Sequence, residues 1–86
     1  MTTLIVHHDV DDVQHWLSST KRAEVFGPLG ITFRTFVDPE NPNRVGGLLE
    51  VPDIAVFQEF MQSAAAAEAM THDGVRSDTV VVLVEG

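Results

Sequence analysis

The last strand-like segment constrains this chain more than any other feature. After Thr79, residues 80 to 84 read VVVLV and contain only aliphatic side chains. Successive side chains of a strand point to opposite faces, so a strand with one face in water should alternate apolar and polar residues. This segment is apolar on both faces, and both faces therefore need a cover.

The length of the chain limits what can supply that cover. With 86 residues, it forms a single domain, residues 1–86, near the small end of what folds alone. There is no cysteine, so disulfides and thiolate metal sites are excluded, and a small core has to be completed in another way, such as oligomerisation. Helices of this chain suffice for one face of a sheet, and we expect a second copy of the protein to cover the other.

Charge and hydropathy exclude several classes of partner. Thirteen acidic residues against five scattered basic ones give a formal charge of −8. Because nucleic acids and anionic lipids require a basic surface, we expect neither as a partner. No apolar run approaches the ~20 residues of a membrane span, and the first residues lack the pattern of a signal peptide. These features predict a cytoplasmic protein.

The pattern of periodicities predicts the order β-α-β-β-α-β. Strands are predicted at residues 3–8, 31–37, 44–51 and 77–85, with a proline-rich hairpin at 38–43. An acidic cluster at 9–12 caps a first helix that continues toward Gly27-Pro28. A second helix follows Asp53, and Ser63 caps a further piece over 64–70. Gly46 and Gly47 inside the third strand suggest a bulge or a close approach by a bulky group.

Right-handed crossovers of both β-α-β halves give one compact solution. It is a ferredoxin-like α+β fold, a four-stranded antiparallel sheet with both helices on one face. The opposite face is bare and rich in Ile, Val and Leu, and each such side chain left in water forfeits about 1.5–3 kcal/mol. We therefore predict a homodimer that pairs these faces, with either Val81 and Leu83 or the alternate set Val80, Val82 and Val84 against the partner.

The spacing of several motifs resembles a known family. Val6-His7-His8, then Val10, Asp12 and Trp16, is similar to the opening of small dimeric α/β-barrel proteins of the antibiotic-biosynthesis-monooxygenase and cyclase-like group. The hairpin DPENPNRV and the second-half segments EVPD, FMQS, EAM and GV are also similar, so that the resemblance covers nearly the whole chain. It implies ferredoxin-like protomers whose sheets pair into a barrel, and a pocket between each sheet and its own helices.

The resemblance also places a histidine at position 8. His7 and His8 are adjacent in a strand and point to opposite faces, and His8 shares its face with Leu4 and Val6. If this face meets the first helix, His8 lies beside Trp16, where a neutral imidazole can act as an acid or base near pH 7. We predict His8 as a catalytic residue, although an imidazole that only caps the sheet end is the simpler alternative. The substrate-binding residues that we predict with it are Trp16, Phe33, Arg34, Phe57 and Met61.

The sequence gives less support for a metal site or a cofactor site. His7, His15, His72 and Asp9 could supply metal ligands, but no HxH or HxxxH pair exists and we predict no metal. The absence of a dinucleotide or phosphate fingerprint predicts no cofactor. The favoured function is a cofactor-independent monooxygenase or isomerase/cyclase acting on a small aromatic or polyketide-like compound. The alternative is a non-catalytic small-ligand-binding or assembly module, because fold does not fix function.

Overall fold

The chain folds into one antiparallel sheet covered by helices. A computed structural model describes all residues from Met1 to Gly86. The strands are β1 (Thr2–Val10), β2 (Thr32–Val37), β3 (Arg44–Val51) and β4 (Val75–Val84), and the helices are α1 (Val13–Ser18), α2 (Lys21–Phe26), α3 (Ile54–Met61) and α4 (Ala64–His72). The strand order β2-β3-β1-β4 is the ferredoxin-like arrangement that the sequence predicted. None of the helices is both long and apolar enough to cross a membrane.

The core lies between the helices and one face of the sheet. Leu4 pairs with Leu49, and Leu49 pairs with Phe33 across the neighbouring strand, so that these side chains share the helix-facing side. Phe57 of α3 packs on this layer and is almost fully buried. A second, smaller cluster joins Trp16 to Val10 and Val45 at the other end of the sheet. The face of β1 that includes His8 is therefore the covered one.

The two predicted helices are each divided in two. The division after Met61 was predicted, since Ser63 accepts a hydrogen bond from the backbone N–H of Ala66 and starts α4. The prediction of one continuous first helix was wrong, because Ser19 adopts an extended backbone with φ −69° and ψ 138°. Its hydroxyl donates to the carboxylate of Asp73 and accepts from the backbone N–H of Lys21. A contact with a distant residue thus interrupts the helix.

The sheet has its irregularity on β1 rather than at the paired glycines. β3 pairs with both neighbours in unbroken register through Gly46 and Gly47, so the first of the two alternatives predicted for these glycines, a bulge, is absent. The register of β1 against β4 shifts between His7 and Asp9, where the N–H of Asp9 donates to the hydroxyl oxygen of Thr79 at 2.8 Å. Beyond this shift β1 continues to Val10, two residues further than predicted.

The face of the sheet opposite the helices carries several large apolar side chains and is open to solvent. Ile5 pairs with Leu83, and Phe36 lies two strands away on the same side. These side chains are 47%, 54% and 47% exposed, respectively. The register assigns Val81 and Leu83 to this outer face, the first of the two alternatives, while Val82 and Val84 lie on the helix side of the edge strand. Pairing with a second copy through this face remains a prediction.

Candidate functional site

A cavity of about 90 Å³ lies between the sheet and its helices. Gly47 contributes to this cavity because it has no side chain. Its partners on the two adjacent strands, Val6 and Thr35, line the cavity on either side of the space that this leaves. Its walls are mainly apolar, and the cavity is partly open to solvent. The residues that line it are Val6, His8, Trp16, Arg22, Val25, Phe26, Phe33, Thr35, Gly47, Leu49, Phe60, Met61, Ala66, Ala69, Met70, Asp73, Val75 and Val80.

His8 and Trp16 meet at one end of this cavity. β1 directs His8 toward the helices, and Asp12 fixes the start of α1 by accepting from the N–H groups of Gln14 and His15. Trp16, in the second turn of that helix, is 2% exposed. The two rings form an edge-to-face pair with centroids 5.8 Å apart. Nδ1 of His8 is buried and has no hydrogen-bond partner.

A partly buried ion pair between Arg22 and Asp73 lies at the same end of the cavity as His8, and we call this the polar end. The guanidinium of Arg22 lies 4.1 Å from the centre of the Trp16 ring and donates through Nη2 to the Trp16 carbonyl at 2.8 Å. Its Nη1 is 3.3 Å from Oδ2 of Asp73, whose side chain is 4% exposed. Sequence reasoning missed both residues. Arg22 follows Lys21 in what reads as a solvated basic pair, and nothing local indicates that the acid before Gly74 is buried.

The structure brings together only some of the residues predicted from sequence. His8, Trp16, Phe33 and Met61 all line the cavity. Phe57 belongs to the main core cluster and is absent from the cavity walls. Arg34 is exposed and lies on the outer face of the sheet, with its guanidinium 5.5 Å from the centre of the Phe36 ring. Arg22, rather than Arg34, is therefore the cation at the cavity.

Burial lowers the pKa of the two basic groups at the polar end of the cavity, His8 and Arg22. Desolvation lowers the pKa of His8 below its ordinary value of 6.5, the backbone of Asp9 opposes this shift, and the positive charge of Arg22 adds to it. The imidazole is therefore mainly neutral at pH 7. Desolvation also lowers the pKa of Arg22, and the charge of Asp73 counteracts it. An arginine nevertheless stays protonated at neutral pH, so the site combines a neutral base with a fixed cation.

The lowered pKa of His8 predicts a pH dependence of stability. The unfolded chain takes up a proton at His8 near pH 6.5, whereas the folded protein resists it, so the free energy of unfolding should fall as pH drops below 6.5. The fall ends once the pH lies below the pKa of the folded state. Denaturant titrations of the wild type and His8→Gln at matched protein concentration test this. The difference between the two curves should slope in this window, and parallel curves would contradict it.

The chain also forms a cluster of metal-ligating side chains at the edge of the cavity, which Asp73 lines and the two histidines do not. His15 and His72 come together with Asp73, and one ligand atom of each lies within 4.8 Å of the other two. The other sequence candidates, His7 and Asp9, are not members of this cluster. Spacing in the sequence could not reveal it because 57 residues separate the two histidines.

Comparisons with known proteins support the fold. No protein family and no curated protein matches the chain by sequence. Among solved structures, the chain is similar to one described as an antibiotic biosynthesis monooxygenase, with a TM-score of 0.64 and 15% sequence identity over 100% of this chain and 97% of that one. At this identity the likeness establishes the shared fold, and the resemblance seen in the sequence is confirmed at that level.

Proposed function

We propose that the cavity binds a ring of a small aromatic or polyketide-like molecule and that His8 removes a proton from it. The observation that carries this proposal is the position of a neutral, partly buried imidazole on an apolar cavity beside Trp16. A base with a pKa near or below the working pH is present in its active form, and proton transfer of this kind contributes about 10²–10⁴-fold to a rate. A solved structure with the same fold is described as an antibiotic biosynthesis monooxygenase, and this supports an oxygenase as one form of the proposal.

Arg22 would stabilise the negative charge that forms when His8 removes the proton. Removing a proton next to a carbonyl, or from a phenol, leaves negative charge on an oxygen. The guanidinium lines the same cavity and is held by Asp73 and the Trp16 carbonyl, so it needs no reorientation to stabilise that oxygen. A cofactor-independent oxygenase would then combine the carbanion with O₂, converting a CH₂ group to a carbonyl with release of water. An isomerase or cyclase would return the proton at another carbon.

The size of the cavity favours the second candidate, a non-catalytic ligand-binding module. Sites for drug-sized ligands occupy about 300–1,000 Å³, whereas this cavity measures about 90 Å³. A single ring with the remainder of the molecule in the opening is the most that it accepts without movement of its walls. Met61 and Met70 are flexible side chains on those walls and supply such movement.

Two measurements on one probe separate the two candidates. The probe is 2-indanone, an aromatic ring fused to a ketone with acidic CH₂ groups. Trp16 is the single tryptophan and the chain has no tyrosine, so fluorescence reports binding at the cavity. Exchange of the CH₂ protons in D₂O, followed by NMR, reports proton abstraction. We expect the wild type to bind and exchange 2-indanone, and His8→Gln to bind it but lose about 10²–10⁴-fold in exchange rate.

A matched pair of alanine variants tests whether the ligand binds in the cavity. Ala69→Leu extends a side chain into the cavity and should weaken binding, whereas Ala65→Leu, on the exposed side of the same helix, should leave it unchanged. Equal binding by both variants would place the ligand elsewhere. Binding without exchange in the wild type would support the module, and exchange that persists in His8→Gln would contradict the role of this histidine.

A further inference from the structure

We propose that His15, His72 and Asp73 bind a divalent transition-metal ion of the zinc class. The three side chains come from two parts of the chain, α1 and the end of α4, and their ligand atoms lie within 4.8 Å of one another. The rings of the two histidines have centroids 5.6 Å apart. This site is separate from the proposed base His8, and the proposal does not depend on what the cavity binds.

The ligand atoms of the histidines are held in place by hydrogen bonds that bonds to an ion can replace. Nδ1 of His72 donates to Oδ1 of Asp73 at 2.9 Å, and Nε2 of His15 donates to the His72 carbonyl at 2.7 Å. Zinc bonds of about 2.0–2.1 Å in a tetrahedral site separate two ligand atoms by about 3.3 Å. An ion between His72 and Asp73 therefore requires them to separate by only a few tenths of an ångström. Both histidines are exposed, so their rings can turn and release a proton to solvent.

The surroundings of Asp73 resemble the support that metal ligands receive in proteins. Ligating carboxylates are themselves hydrogen-bonded, and these outer contacts orient them. Arg22 holds Oδ2 of Asp73 at 3.3 Å, which leaves Oδ1 directed toward His72 and the hydroxyl of Ser19. The positive charge of Arg22 is next to Oδ2 of Asp73 and repels a cation bound at Oδ1. The formal charge of −8 on the whole chain, however, favours cations at its surface.

The ligand set indicates which ions fit. Two imidazoles and one carboxylate are ligands for Zn²⁺, Co²⁺ or Ni²⁺, whereas Mg²⁺ and Ca²⁺ prefer oxygen atoms alone. Three protein ligands leave at least one position for water. A bound ion would tie α1 to the end of α4, next to the polar end of the cavity, and would stabilise the folded chain because the unfolded chain does not hold the three ligands together.

The experiment uses the full chain without a histidine tag. Isothermal titration with Zn²⁺, in a buffer that does not bind metals, should give one ion per chain, and Co²⁺ should produce visible absorption of a four-coordinate site. His15→Gln and His72→Gln should each weaken binding at least ~10-fold, the loss that follows even from disturbing an outer contact. Both side chains are exposed, so the variants should fold, which far-UV circular dichroism checks.

His7→Gln is the matched control, since His7 lies on the opposite face of the sheet and outside the cluster. It should bind Zn²⁺ with unchanged affinity. Equal weakening in all three variants would mean that histidines bind the ion without a common site, and this would overturn the proposal. The absence of stoichiometric binding by the wild type would also overturn it, as would affinity for Zn²⁺ that survives both single substitutions at His15 and His72.

Discussion

Replacing Asp73 by alanine is expected to lower the free energy of unfolding by about 3 kcal/mol, because it leaves the charge of Arg22 partly buried without a counterion. The same carboxylate accepts hydrogen bonds from the hydroxyl of Ser19 and from Nδ1 of His72, and both would lose their partner. The break between α1 and α2 depends on the first of these contacts. Denaturant unfolding at fixed protein concentration measures the change.

The chain offers a matched control for this prediction. Asp11 forms an ion pair with Arg76 at 2.9 Å, but the two side chains are 70% and 49% exposed. Exposed pairs contribute about 0–1 kcal/mol, so Asp11→Ala should have a small effect. The double variant Asp73→Ala/Arg22→Met removes the unpaired charge and should recover part of the loss. An Asp73→Ala effect no larger than that of Asp11→Ala would show that the buried pair adds little to stability.

The second large effect concerns association through the outer face of the sheet. We expect the wild type to be a homodimer and Leu83→Asp to be a monomer of lower stability. In a dimer that pairs these faces, the new carboxylate would be buried without a partner, at a cost of several kcal/mol. Light scattering coupled to size exclusion measures the mass, which is 9.4 kDa for one chain. Because folding and association are coupled at this size, stability should rise with protein concentration in the wild type.

Leu17→Asp serves as the control for this substitution. Leu17 is 41% exposed on α1, compared with 54% for Leu83, but it lies away from the outer face. The same chemical change should leave the dimer intact there. A wild type that stays monomeric at micromolar concentration would contradict the prediction, and the exposed Ile5 and Phe36 would then need another partner. A Leu83→Asp variant that remains dimeric would place the interface elsewhere.

Much of the candidate site lay beyond what sequence reasoning could reach. Alternation along β1 and periodicity along α1 placed His8 near Trp16 on the condition that this face of β1 meets the helix, and the family resemblance placed a histidine at position 8. Arg34 and Phe57 were chosen with the same local arguments, and neither lines the cavity. Arg34 shares a strand with Phe33 and therefore points to the other face. Phe57 is on the buried side of α3, but how a helix sits along the sheet decides whether such a residue reaches the core or the cavity.

The sequence alone determined the order of the strands and of the helical segments between them, and it determined where several helices begin. Asp12, Asp53 and Ser63 each cap a helix, because capping hydrogen bonds join residues two or three positions apart. Only the tertiary structure decided the break at Ser19, the ion pair of Arg22 with Asp73 and the meeting of His15 with His72. These contacts join residues 51 to 57 positions apart, and they form only where the packing of α1, α2 and α4 brings distant segments together. Local patterns describe neighbours in the chain and carry no information on that packing.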